Sequence, residues 1–191
     1  MSAQIKGTGN SVLGGADLGT PLAQASGGTG GNYPVYQMVL GTAQATTSGT
    51  SIDFTGIPSW VKRITVMLNG VSTNGSSLLM VQVGAGSITA SGYLSNAWSN
   101  NINVATTTIG FILAGLNSST GQYSGHVVLT PINVTTVIES SILGSDVANN
   151  AHTSGGKVTL AGALDRIRLT TINGTDTFDA GSVNIMYEGY A

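Results

Sequence analysis

The chain has 191 residues, 41% of them hydrophobic and only 7% charged, with a formal net charge of −2 and no cysteine. That length allows one principal core burying roughly 70% of the unfolded surface, and the six basic residues, scattered from Lys6 to Arg168, leave no cationic footprint for DNA or RNA. Disulfides, thiolate catalysis and Cys-based zinc sites are excluded, and no apolar run approaches the roughly 20 residues of a membrane helix.

A soluble domain is typically about 25% charged. Here Gly, Ser, Thr, Asn and Ala take the place of charge. Such a surface repels its neighbours weakly, which suits a protein held in a symmetric assembly. The amino end has no basic region followed by an apolar one, so work outside a cell implies release by lysis or on a particle.

Residues 1–32, MSAQIKGTGNSVLGGADLGTPLAQASGGTGGN, are glycine-rich, with Val12, Leu13, Leu18 and Leu22 as isolated apolar residues. No helical or strand period persists there. The reading is an extended attachment arm that gains order in a partner's groove, with those four side chains as anchors.

Residues 33–191 read as one β-sandwich domain. Pro34 to Leu40 is extended, Thr42 to Thr47 polar and β-branched, and Ser51 to Asn69 (SIDFTGIPSWVKRITVMLN) gives strand, corner, strand and an Asn69-Gly70 turn. Alternation puts Ile64, Val66 and Leu68 inward and Arg63, Thr65 and Met67 outward. Leu78 to Val83 is apolar on both faces, as in a strand buried on both sides or at a subunit interface. Gly84-Ala85-Gly86 then turns the chain into Ser87 to Leu94. Ser95 to Thr108 reads as a long loop carrying Trp98.

Further strands are predicted at Gly110 to Ala114, Tyr123 to Thr130, Thr135 to Leu143, Lys157 to Ala161, Asp165 to Ile172 and Val183 to Tyr187. Loops fall at 115–122, 145–156 and 174–182. Asp165 to Ile172, closed by Asn173-Gly174 and followed by a last strand, repeats the grammar of the unit at Ser51. About eleven short strands and no helical period indicate an all-β, jelly-roll-like antiparallel sandwich behind an extended Gly-rich arm.

The segment Pro21-Leu22-Ala23-Gln24-Ala25-Ser26-Gly27-Gly28-Thr29-Gly30 resembles the PLAxGGTG segment of bacteriophage tail-fibre proteins. The domain, with FTGIPSWVKRITVML and TDTFDAGSVNIMYEG, looks like a small β-sandwich module of phage fibre and virion-associated proteins. Ala25-Ser26 interrupts the segment, and no repetitive shaft precedes it. The resemblance therefore implies a short fibre, a tip subunit or a capsid fibre or decoration protein. It also implies a homotrimer on the virion, attached to other virion proteins through the arm and facing outward with the sandwich.

No catalytic, metal or cofactor constellation is read from the residues. His126 and His152 have no two-His metal spacing, and the eight acids are mostly isolated. The Asp176/Asp179 pair reads as turn capping, and eight mostly isolated acids with only two tryptophans argue against glycosidase chemistry. Tyr93, Trp98, Asn100 and Asn101 are the candidate platform for a host-surface glycan. The alternative for Trp98 is packing in a loop or an assembly interface. Capsid decoration and a lectin-like module stand as alternatives to a tail-fibre role.

Overall fold

The computed structural model describes residues 35–99, 102–114, 118–146 and 150–190. The arm, 1–32, with Val12, Leu13, Leu18 and Leu22, lies outside the described residues, as do Asn100 and Asn101.

Among the described residues there is no helix, and every strand pairing is antiparallel. In chain order the strands are β1 (Tyr36–Leu40), β2 (Gln44–Ala45), β3 (Ser51–Thr55), β4 (Val61–Thr73), β5 (Leu79–Ala85), β6 (Ser87–Ile88) and β7 (Leu94–Ser99). They continue as β8 (Ile102–Thr107), β9 (Phe111–Ile112), β10 (Tyr123–Pro131), β11 (Thr136–Ser145), β12 (Ala151–Thr159), β13 (Arg166–Thr171) and β14 (Phe178–Tyr190). The large sheet runs β1-β14-β4-β10-β11-β12-β7-β8, with β2 also on β14. The small sheet runs β3-β13-β5-β6, with β9 also on β5. This is the predicted all-β class. The order contains a β10-β11-β12 meander and does not by itself establish jelly-roll connectivity.

The two sheets share one core. Ile64, Val66, Leu68, Val127 and Leu129 of the large sheet and Ile52, Phe54, Val81, Val83, Ile167 and Leu169 of the small one belong to the same buried cluster. Each such side chain contributes roughly 1.5–3 kcal/mol through burial. The two strand-corner-strand units seen in the sequence pair with each other: β3 lies on β13 and β4 on β14. Each unit gives one strand to each sheet, so its corner ties the layers together. β5 is buried on both faces, as its apolar run predicts.

Four loop or turn assignments are corrected. Asn69-Gly70 is a β-bulge within β4, with Gly70 at φ 60 and Gly181 at φ 92 facing it from β14. Ser95 to Thr108 is largely a hairpin, β7–β8. The predicted loop 145–156 contains the first half of β12, and 174–182 contains the start of β14. Ser87 to Leu94, predicted as one strand, keeps strand structure only at Ser87–Ile88 before β7 begins at Leu94.

Candidate functional site

The two outer faces of the sandwich differ in chemistry. On the large sheet, the strand register sets out one outward row, Leu40, Met186, Thr65, Val128, Ser140, Gly155 and Asn96. A second row follows Asn184, Met67, His126, Ile142, Thr153 and Trp98. Met38, Leu40, Leu94, Ile138, Ile142 and Tyr190 are exposed there. The ionic groups in these rows and at their rim are few: Lys157, and Arg63 paired with Glu188 at 3.6 Å. Glu188 also accepts the Tyr36 hydroxyl at 2.5 Å.

The small sheet is the reverse. Its outward side carries Asp53, Arg168, Gln82 and Arg166. Arg168 grips Asp53 through Nε and Nη2, both at 2.7 Å. Arg166 does the same with Asp165 at 2.7 and 3.2 Å, which holds the Asp165 carboxyl below its ordinary range. Asp165 also accepts the Gly86 amide. This face is charged, self-paired and suited to water.

Trp98 is half-buried on the outward side of β7, beside Thr153 on β12 and in register with Asn103 on β8. Tyr93 is not on that surface. It is buried, edge-on to Phe111 at 4.9 Å, and its hydroxyl takes the Val83 amide and sits 3.1 and 3.0 Å from the Val83 and Thr89 carbonyls. Burial pushes its phenol up to about 12. The two aromatics are close in sequence, but Tyr93 turns into the core just before β7 begins, whereas Trp98 stands on the outward side of that strand.

One end of the sandwich holds a depression of about 430 Å³ lined by Ile57, Pro58, Lys62, Ile132, Val134 and Leu164. Asn133 holds the turn beside it, accepting the Thr135 and Thr136 amides at 2.9 and 2.7 Å. At another turn Asp176 accepts the Ser77 amide and the Asn173 side-chain amide, and Asp179 accepts the Ser72 hydroxyl. Asp176 thus holds its turn as expected, whereas Asp179 lies within β14 and bonds a side chain, so the expected capping role does not extend to it. Among the described residues no three His, Asp or Glu side chains gather in a metal-holding group.

Sequence reasoning missed a group of buried polar side chains on the inner side of β11, β12 and β7: Glu139, Ser141, His152, Ser154, Ser95 and Ser99. Ser154 donates to Glu139 Oε1 at 2.7 Å, and Ser141 and Ser154 share a 2.5 Å hydrogen bond. Glu139 Oε2, His152 Nδ1 and Ser99 Oγ are buried without a hydrogen-bond partner. The alternation of Val137, Glu139, Ser141 and Leu143 was the available signal, since it puts an acid in the inward phase.

Comparison of the chain with protein-family models, with curated proteins and with solved structures returns no match.

Proposed function

We propose that this chain is a non-enzymatic virion structural protein: a short tail-fibre component of a bacteriophage, anchored by residues 1–32 and meeting the host surface with its sandwich. The observation that carries this reading is the contrast between the two outer faces. A broad sheet face with exposed Met38, Leu40, Ile138 and Ile142, whose charge is limited to Lys157 and the Arg63–Glu188 pair, favours burial against other subunits, whereas the smaller face of paired Asp53–Arg168 and Asp165–Arg166 favours solvent. A homotrimer that packs large-sheet faces inward and leaves small-sheet faces outward satisfies both. The resemblance of the arm and domain to phage fibre proteins supplies the setting, and release by lysis supplies the route.

Antibody labelling of intact particles tests the reading. Label at the tail is the expected result. Label on the capsid moves the protein to the alternative, a head fibre or decoration protein, and absence from particles overturns the virion reading. A second reading, a lectin-like glycan-binding module, draws on Trp98, which stands outward beside the polar Asn96 and Thr153. It requires wild type, and not Trp98→Ala, to retain a host polysaccharide on a glycan array.

A further inference from the structure

The inner side of the large sheet changes chemistry halfway across. One row reads Tyr187, Ile64, Leu129, Glu139, Gly156 and Ser95; the next reads Ile185, Val66, Val127, Ser141, Ser154 and Ala97; the third reads Val183, Leu68, Gly125, Leu143, His152 and Ser99. From β14 to β10 the rows are apolar apart from glycine. From β11 to β7 they are mostly polar, yet these polar residues are as buried as the apolar ones. β9 lies against β12, β7 and β8. The Leu94 carbonyl and the Phe111 ring of β9 together leave no space for a side chain at Gly156, and Ser95 Oγ accepts the Ile112 amide at 2.9 Å.

Glu139, only 5% exposed, sits between Leu129 and Gly156 in this register, with no Lys or Arg among the inward residues. An ionised carboxylate there has no counter-charge, and burying an unpaired charge is far more costly than burying a neutral acid. Burial accordingly raises its carboxyl from 4.5 to about 7, against the opposing pull of the Ser154 and Ser141 hydrogen bonds. Among the described inward residues, the other titratable groups are Tyr123 from β10, His152 from β12, Tyr187 from β14, and Tyr93 beside Phe111. β9, β7 and the inward side of the small sheet add none. Burial holds the Tyr93 and Tyr123 phenols above their ordinary value, so these two stay neutral near pH 7. Only Glu139 and His152 can change charge in that range.

We propose that Glu139, Ser154 and Ser141 form a proton-operated latch that closes the β11-β12-β7 wing beneath β9. In the neutral form, the Glu139–Ser154–Ser141 chain joins β11 to β12 through side chains as well as backbone. When the acid gives its proton to solvent, a carboxylate with no counter-charge is left inside the sandwich, its Oε1 held by Ser154 and its Oε2 without a donor. The wing then opens to let water reach Oε2. The latch does not depend on what the sandwich binds.

The sign follows from linkage. Because the folded acid holds its proton more tightly than the unfolded one, its contribution to stability is complete below about 4.5 and is lost as pH rises through about 7. His152 acts in the other direction. Burial lowers its pKa from 6.5, so its contribution is present above that value and is lost as pH falls through the folded one. The slopes are opposite, and single variants separate them.

The test follows the full chain by carboxyl carbon NMR and amide hydrogen exchange from pH 5 to 9, with Glu139→Gln and His152→Gln alongside. The Glu139 carboxyl should titrate near 7. Protection of β11, β12 and β7 amides, corrected for intrinsic rates, should fall by at least about tenfold on alkalinisation while β4 and β14 hold. Glu139→Gln, which carries the neutral form's shape, should abolish the fall, and His152→Gln should keep it. A Glu139 midpoint in the ordinary carboxylate range overturns the latch, as does a fall that persists in Glu139→Gln. If that variant does not fold, the wild-type titration and exchange decide alone.

Discussion

At the residue scale, polar atoms near the core divide into those with complete partners and those without. Tyr93 is complete: its hydroxyl holds Val83 and Thr89 backbone while its ring packs on Phe111. Tyr93→Phe keeps the ring and strips the Val83 amide of that contact, so urea unfolding should show a loss of about 1–3 kcal/mol. Arg168, partly exposed in its pair with Asp53, should tolerate Ala with little change in the same assay. Glu139 is incomplete, and it was legible in the sequence. In TVIESSIL the inward phase that carries Val137 carries Glu139 two residues later, and an acid in that phase marks a buried group. Tyr93 and Trp98 were misjoined for the same kind of reason. Nearness in sequence suggested one surface, but Tyr93 turns into the core just before β7 begins and Trp98 stands on the outward side of that strand.

At the element scale, strands with apolar alternation were readable and strands built from small polar residues were not. Ile64, Val66 and Leu68 announce β4, and Ile167 and Leu169 announce β13. By contrast SNAWS in β7 and AHTSGG in β12 have loop composition. Pairing to each other and to β11 makes them strands, so tertiary context overrides local preference. Asn69-Gly70 has the residues of a hairpin turn but forms a bulge. Its partner Gly181 sits at φ 92, and a side chain there would come within 2.3 Å of the Gly70 carbonyl. Gly181→Ala meets both the backbone strain and the clash. It should lower stability by roughly 1–3 kcal/mol in denaturant unfolding, and increase amide exchange across the β4–β14 bulge.

At the scale of the whole molecule, the sequence's low charge has a spatial pattern. The ion pairs Asp53–Arg168 and Asp165–Arg166 fall on the small sheet, while the broader outward side of the large sheet carries one pair, Arg63–Glu188, and Lys157 among Met, Ile, Val, Thr and Asn. Composition alone conveyed weak repulsion between neighbours but could not say which face would be shared, because that depends on which strands join which sheet. We propose that copies of this chain meet on the outward side of the large sheet. Sedimentation equilibrium of the full chain against a Met67→Glu, Ile142→Glu double variant, each shown to be folded by circular dichroism, tests it most directly. Wild type should form a stable oligomer and the variant should be a monomer. A monomeric wild type at every concentration, or a variant that assembles as wild type does, would contradict it.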